Sequence, residues 1–375
     1  MINKTLGILG GGQLGRMTAM AAARLGIKTH VFAPEENCPG RQVATFYTRA
    51  QFDDRKALKD FAESVDAVTY EFENIPLETI RRVQQIKPVC PNETLLAIAQ
   101  DRVKEKKFLN DIGIDTTRWC EVNNPEDIQK ALILFGKGSC IIKTTRFGYD
   151  GKGQKKHETG EDIYESFHSL VPSRSTGIKL IAEDIVDFSS EISVIVARDK
   201  LGQTAVYPPA LNEHRNHILY KSTVPAPIPE QQAEAAKRKA ELLANAVDLV
   251  GVLAIEFFIT HDGQILANEI APRPHNSGHW TIDACAVSQF EQHARTVSGL
   301  PIGYPRRHSD AVMVNLIGRD VRNAPRFLEA PNTCLHLYGK SSISEGRKMG
   351  HVTVVKAIGS QVGMNIEEIL SISEK

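Results

Sequence analysis

The chain has 375 residues, 42% of them apolar and 24% charged, with 45 Lys plus Arg against 45 Asp plus Glu. Single cores rarely grow past roughly 250 residues, so the length predicts two or three domains. A formal net charge of zero excludes a chain that coats nucleic acid or an anionic membrane, since both partners demand a basic surplus.

In chain order, Thr5 to Leu9 reads as a strand, Leu14 to Leu25 as a helix closed by Gly26, and Lys28 to Phe32 as a second strand. A helix over Lys56 to Glu63, a strand over Asp66 to Tyr70 and a helix over Leu77 to Gln85, opened by Pro76, continue the alternation. Strands alternating with helices imply a parallel sheet. A basic helical stretch from Asp101 to Asn110 leads through Gly113 to a second unit, with a helix over Pro125 to Phe135, a strand over Cys140 to Thr145 and the glycine-rich run RFGYDGKG, Arg146 to Gly153. From about Lys179 the texture changes to long strands (LIAEDIV, EISVIVARD, QTAVYPPA), a long helix over Pro229 to Leu249 and a hairpin over Gly251 to Ile270. The expected class is α/β followed by α+β.

The apolar run Leu249 to Ile259 carries Glu256 and falls far short of the about 20 residues that cross a bilayer. The opening MINKTLGILGGG reaches glycine before a signal-peptide core can form, which predicts a cytoplasmic protein. The scattered cysteines, without a CxxC pair, fit free thiols in a reducing compartment.

The strongest chemical signal lies in GVLAIEFFITHDGQILANEIAPRP. A two-residue turn at Asp262 and Gly263 opposes residues whose numbers sum to 525, and Glu256 and Glu269 satisfy that sum. Two carboxylates facing each other among Ile255, Phe258 and Ile270 repel, and a divalent cation resolves the conflict. Mg²⁺ or Mn²⁺ shared with substrate phosphates suits such a pair. Lys143 ends a strand just before the RFGYDGKGQ loop, whose backbone N–H groups can turn toward a nucleotide phosphate, although the GKS or GKT ending of a Walker motif is absent.

Gly10, Gly12 and Gly15 fit GxGxxG between a strand and a helix, which alone would suggest a nicotinamide dehydrogenase. Phe32 is followed by Ala33 and Pro34 rather than by the acidic residue that holds a ribose, so a phosphate monoester at the amides of Gln13 and Leu14 is the better reading. YEFENIP sets Glu71 and Glu73 after a buried strand. YGKSSISEGRKMGHV gathers Lys340, Arg347 and Lys348. His275 and His279 have a metal-ligand spacing, but the intervening Asn-Ser-Gly is a poor helix former, which favours a polar substrate loop over zinc.

With GGGQLGRM, YEFENIP, Asp101-Arg102, GYDGKGQ, the hairpin glutamates, NEIAPRPHNSGHWT and GKSSISEGRKMGH in this order, the chain resembles, over essentially its whole length, the 5-(carboxyamino)imidazole ribonucleotide synthase family of ATP-grasp carboxylases. The resemblance implies a Rossmann-like parallel-sheet domain over 1–115, a small lid over 116–178 and an ATP-clasping domain over 179–375. It implies ATP-dependent carboxylation of 5-aminoimidazole ribonucleotide with bicarbonate through carboxyphosphate, in purine biosynthesis, by a homodimer.

Carried onto matching positions, Arg102, Lys143 and the loop Gly148, Tyr149, Asp150, Gly151, Lys152, Gly153 and Gln154 would meet ATP phosphates. Glu183, Asp184, Ile185 and Val186 would read adenine, Glu191 the ribose, with His214 and Asn268 completing the nucleotide site and Glu256 and Glu269 holding the metal. Gln13, Leu14, Lys340, Arg347 and Lys348 would bind the ribonucleotide phosphate and Glu73 its ribose, with Tyr149 and Asp150 facing the aminoimidazole. Arg273, His275 and Asn276 would steady carboxyphosphate, and Asp150 would take the amine proton. A formate-dependent glycinamide ribonucleotide transformylase shares the glycine loop and basic tail, but NSGHWT and GYDGKGQ favour the carboxylase. A biotin carboxylase would be longer, and a non-catalytic sensor would not need Asp150, Arg273, Lys340 and Arg347.

Overall fold

The computed structural model describes residues 4–148, 151–171 and 179–360. The N-terminal part runs β1 (Thr5–Leu9), α1 (Gln13–Arg24), β2 (Lys28–Ala33), β3 (Phe46–Arg49), α2 (Arg55–Glu63), β4 (Ala67–Tyr70) and α3 (Leu77–Gln84). Its strands form a parallel sheet in the order β3-β2-β1-β4, as the alternation predicts. Both faces of β1 and β2 are covered, so these strands read as nearly continuous apolar runs. The short β3 escaped the sequence reading because FYTR lacks an apolar run and is only partly buried.

Two helices follow, α4 (Glu93–Ala99) and α5 (Arg102–Asp111). Leu95, Ile98 and Leu109 pack into the core of the C-terminal sheet, so this pair belongs physically to that body although it lies within the predicted 1–115 unit. The small lid contains β5 (Trp119–Val122), α6 (Glu126–Phe135), β6 (Ser139–Thr144), β7 (Gln154–Glu158), α7 (Ile163–Leu170) and β8 (Leu180–Asp184). Here the structure moves a boundary. The segment Leu180–Asp184, expected in the 179–375 unit, lies between β5 and β6 in the lid sheet β5-β8-β6-β7. Buried Leu180 and Ala182 fill the lid core with Cys140 and Ile142, which no sequence pattern distinguishes from burial in the next domain.

The large antiparallel sheet is built from β9 (Phe188–Arg198), β10 (Thr204–Val206), β11 (Ala210–Arg215), β12 (Ile218–Val224), β13 (Gly251–Thr260), β14 (Ile265–Ala271), β15 (Asp310–Ile317), β16 (Thr333–Leu337) and β17 (Lys348–Lys356). Helices α8 (Glu230–Ala246), α9 (Thr281–Ala284), α10 (Gln289–Val297) and α11 (Ala324–Glu329) complete this part. The expected strand QTAVYPPA shrinks to three residues on the sheet's edge, since Pro208 and Pro209 have no N–H for a ladder. Among the described residues no helix is long and apolar enough to cross a membrane.

The β13–β14 hairpin reaches the expected pairing by a different route. Thr260 N–H donates to Gln264 O and Gly263 takes a positive φ of 87°, so the turn holds three residues rather than two. Near the turn Ile259 therefore faces Ile265. A bulge then adds Asn268 to β14, and beyond it Glu256 faces Glu269. The longer turn and the bulge cancel, which restores the sum of 525.

Candidate functional site

A cavity of about 700 Å³ lies where the three parts meet, within the range of small-molecule sites. From the parallel sheet come Gln13, Leu14, Glu71 and Glu73, at the carboxyl ends of strands where such sheets meet ligands. The lid contributes Lys143, Gly148, Gly151, Lys152, Gln154 and Glu183 to Val186, and the large sheet Glu191, His214, Glu256, Asn268, Glu269, Arg273, His275, Asn276 and Lys348. Among the described residues predicted for the site, Gly153, Lys340 and Arg347 do not line it. The Gly153 carbonyl instead accepts from Thr144 N–H at 2.8 Å, Lys340 Nζ donates to Lys348 O at 2.6 Å, and Arg347 donates to Ser342. Tyr149 and Asp150 lie outside the described residues.

The glycine fingerprint has an occupant. Helix α1 has no capping side chain of its own at Gly12. Glu71, just past β4, supplies one, accepting from Gly12 N–H through Oε1 and from Gly15 N–H through Oε2 at 2.8 Å. The glycines make room for this carboxylate. A Cβ on Gly10 would come within 2.5 Å of Glu71 Cγ, and one on Gly12 within 2.6 Å of its Oε1. The dinucleotide reading fails here, because an internal anion fills the inner end of the helix where a pyrophosphate would sit. Burial raises the Glu71 carboxyl, against the two amides.

Glu73 is bound to Arg273, whose Nε and Nη2 both stand 2.7 Å from Oε2, while Nη1 donates to Pro274 O at 3.1 Å. Two residues expected to touch ribose and carboxyphosphate separately thus form one half-buried pair between the parallel sheet and β14. Burial alone would raise Glu73; Arg273 overrides it and holds the carboxyl below its ordinary value.

Arg102, expected on ATP phosphates, spends its guanidinium on backbone, donating to Thr144 O and Gly148 O at 3.0 Å each. It braces the glycine-rich loop from the start of α5. Lys143 Nζ lies 2.9 Å from Glu183 Oε2, and Lys106 Nζ lies 3.6 Å from Oε1 of the same carboxylate. Burial would raise Glu183, yet Lys106 and Lys143 hold it below its ordinary value, so its side chain is an internal counter-ion. The hinge reading narrows too. Asp184 N–H donates to Arg118 O, Asp184 O accepts from Thr117, and Ile185 O accepts from Lys137, so Ile185 N–H and Val186 are what the segment can offer an adenine.

The carboxylate pair sits as the hairpin arithmetic anticipates. Burial and then Glu269 push Glu256 up to about 8, the response of a buried like-charged pair. His275 Nε2 stands 3.7 Å from Glu256 Oε1, and burial followed by Arg273 pushes its imidazole well below its ordinary value, so it is neutral. Asn276 has both side-chain polar atoms buried with no partner among the described residues. Two carboxylates, a neutral imidazole and an unsatisfied amide form a donor set that fits a hard divalent ion carrying phosphate oxygens. The pair His275 and His279 does not converge, because His279 Nδ1 faces Tyr338 OH at 3.1 Å in the core. His214 Nδ1 pairs with Glu191, which raises the imidazole against the lowering effect of burial.

Sequence reasoning missed Glu105, Lys106, Phe188 and Phe258. Glu105 accepts from Ile270 N–H at 3.0 Å, and burial with Glu269 pushes it up to about 8. Its place one turn before fully buried Leu109 was a readable signal, since i and i+4 share a helix face. Phe188 and Phe258 stack at 4.6 Å in the cavity wall.

Residues 3–100 match the ribonucleotide synthetase preATP-grasp domain, 107–290 the ATP-grasp domain and 311–363 the phosphoribosylaminoimidazole carboxylase C-terminal domain. The chain is 49% identical over 352 residues to the N5-carboxyaminoimidazole ribonucleotide synthase of Brucella melitensis, covering 94% of this chain and 96% of that one. It is 40% identical over 354 residues to that of Bacillus subtilis, with 94% and 91% covered. Among solved structures, the ADP complex of the Staphylococcus aureus N5-carboxyaminoimidazole synthetase superposes with a TM-score of 0.91 at 37% identity, covering 98% and 97%. The Aspergillus clavatus synthase with ADP and 5-aminoimidazole ribonucleotide superposes with a TM-score of 0.90 at 29% identity, covering 99% and 98%.

Proposed function

The chain belongs to the ATP-grasp family of N5-carboxyaminoimidazole ribonucleotide synthases, and we infer from this premise that it carboxylates 5-aminoimidazole ribonucleotide with bicarbonate and ATP, in purine biosynthesis. The observation that carries the reading is one cavity lined by both the Glu256 and Glu269 pair and the open amides of α1. A site with a cation cradle at one end and a helix N-terminus at the other suits two phosphorylated substrates.

ATP enters between lid and large sheet. Phe188, Phe258 and the Ile185–Val186 backbone bind adenine, and Glu191, held by His214, takes the ribose hydroxyls. Lys143, aimed by Glu183, and the Arg102-braced loop hold the phosphates. Glu256 and Glu269, with Asn268 at the bulge, hold Mg²⁺ or Mn²⁺, which when bound neutralises and orients phosphate oxygens.

A bicarbonate oxygen attacks the γ-phosphorus and ADP leaves, giving carboxyphosphate. The ribonucleotide amine then attacks the carboxyl carbon, the bond from that carbon to the bridging oxygen breaks, and inorganic phosphate leaves with the electron pair. We assign the amine proton to Asp150. Arg273 supplies positive charge near the transferring phosphate, and Asn276 offers its unsatisfied amide. Gln13 and Leu14 amides, with Lys348 and the adjoining Lys340 and Arg347, bind the ribonucleotide phosphate, and Glu73 its ribose. The protein works as a cytoplasmic homodimer.

The test is ADP release with ATP, bicarbonate and 5-aminoimidazole ribonucleotide, repeated with each omitted. Full turnover requires all three and yields one carboxylated ribonucleotide per ADP. ADP release that ignores the ribonucleotide but responds to formate with glycinamide ribonucleotide would overturn the assignment.

A further inference from the structure

The sequence singled out three glycines, and the function above uses only the two residues between the last pair. Gly10, Gly12 and Gly15 converge on Glu71, so the fingerprint is shaped around a carboxylate of the chain itself. That carboxylate is buried, and it takes the amides at the first and last positions of the N-terminal turn, Gly12 and Gly15. Gln13 and Leu14 lie between them and face the cavity. A helix N-terminus offers a limited set of donors, and each donor accepted from within is withdrawn from an external anion.

We propose that Glu71 is a positioning residue for the ribonucleotide. It fills the inner anion position of α1, orders the glycine loop and confines the substrate phosphate to the outer amides of Gln13 and Leu14. The inference rests on the reading that this phosphate docks at α1. The geometry explains why a carboxylate, which an approaching phosphate dianion should repel, is tolerated. Each of its oxygens accepts from an amide, and Arg273 and Lys340 are cations that bear on it electrostatically. Without Glu71 the two amides would be orphaned, and the phosphate could slide inward toward them, carrying the aminoimidazole away from the carboxylation centre.

The experiment compares steady-state kinetics of the full-length enzyme with Glu71→Ala and Glu71→Gln, the latter keeping the side-chain volume and one acceptor oxygen. KM for the ribonucleotide is expected to rise by about 10-fold or more in Glu71→Ala and by less in Glu71→Gln, while KM for ATP stays within about twofold. An unchanged ribonucleotide KM in both variants, or a parallel rise in both KM values, overturns the proposal, the latter by showing general disorder of the cavity. Lys340→Met tests the basic-tail part of the phosphate site separately. If Lys340→Met leaves the ribonucleotide KM unchanged while Glu71→Ala raises it, the basic-tail part of the phosphate site is wrong and Glu71 keeps its role.

Discussion

Lys106 shows how one side chain can be misread from its neighbours. In RVKEKKFLND it sits among exposed basic residues, yet it is 2% exposed and lies against Glu183 with Asn268 O 3.3 Å from its Nζ. Burial lowers its ammonium, opposed first by Glu183. Lys106→Met leaves Glu183 paired with Lys143 alone, so it should cost less than the about 3–5 kcal/mol of a charge stranded outright. Chemical denaturation checks this, and a loss in the full stranded-charge range would mean that Lys143 does not compensate. Glu183 and Glu73 share a lesson. Their carboxylates were expected to meet ligands or to be incidental to a backbone hinge, but each is neutralised by a basic residue reached only through folding.

At the scale of elements, the glycine-rich loop and the hairpin are the parts whose geometry matters most. Gly151 adopts a φ of 78°, and a Cβ there would come within 2.7 Å of His217, at the β11–β12 turn. Gly151 therefore packs against the large sheet. Gly151→Ala combines backbone strain with a clash, and kcat/KM for ATP should fall by about 10-fold or more, with thermal stability little changed because the loop is peripheral to the cores. Measuring both on the same preparation distinguishes a closure defect from misfolding. The β11–β12 hairpin itself had no strong signature. Its turn residues Asn216 and His217 have positive φ without glycine, so the usual Asn-Gly or Asp-Gly signal was missing. The β13–β14 hairpin carried that signal, yet its turn is a residue longer than the dipeptide suggests, and only the bulge at Asn268 restores the facing glutamates.

Across the whole molecule, α10 ties the parallel sheet to the large one. Val252 N–H donates to His293 Nδ1 at 3.2 Å, which leaves Nε2–H to donate to Thr69 Oγ1 at 2.7 Å and fixes the neutral tautomer. Burial pushes His293 down to about 3. Below pH 6.5 the unfolded chain binds a proton there that the folded chain refuses, so this stability is present above pH 6.5 and lost as pH falls toward 3. A single such histidine adds a slope of about 1.4 kcal/mol per pH unit between these limits. His293→Gln should be less stable at pH 7 but show a shallower acid decline in denaturant midpoint. An unaltered slope would mean that the imidazole is protonated in the fold.

What the sequence alone determined is what local pattern and order encode. Alternation marked the parallel sheet, the motif order marked the family, and the Asp-Gly pair marked the hairpin that carries Glu256 and Glu269, while the bulge at Asn268 set them face to face. These signals are short in range, because periodicity and turn chemistry act over a few residues. Tertiary structure decided which charges meet. Glu71 reaches the glycines of α1 from just past β4, Arg273 reaches Glu73 from beyond β14, and Lys106 on α5 reaches Glu183 on β8. It also decided that Leu180–Asp184 joins the lid sheet. Such choices depend on desolvation and distance between segments far apart in the chain, and burial makes each pairing obligatory once the sheets have packed.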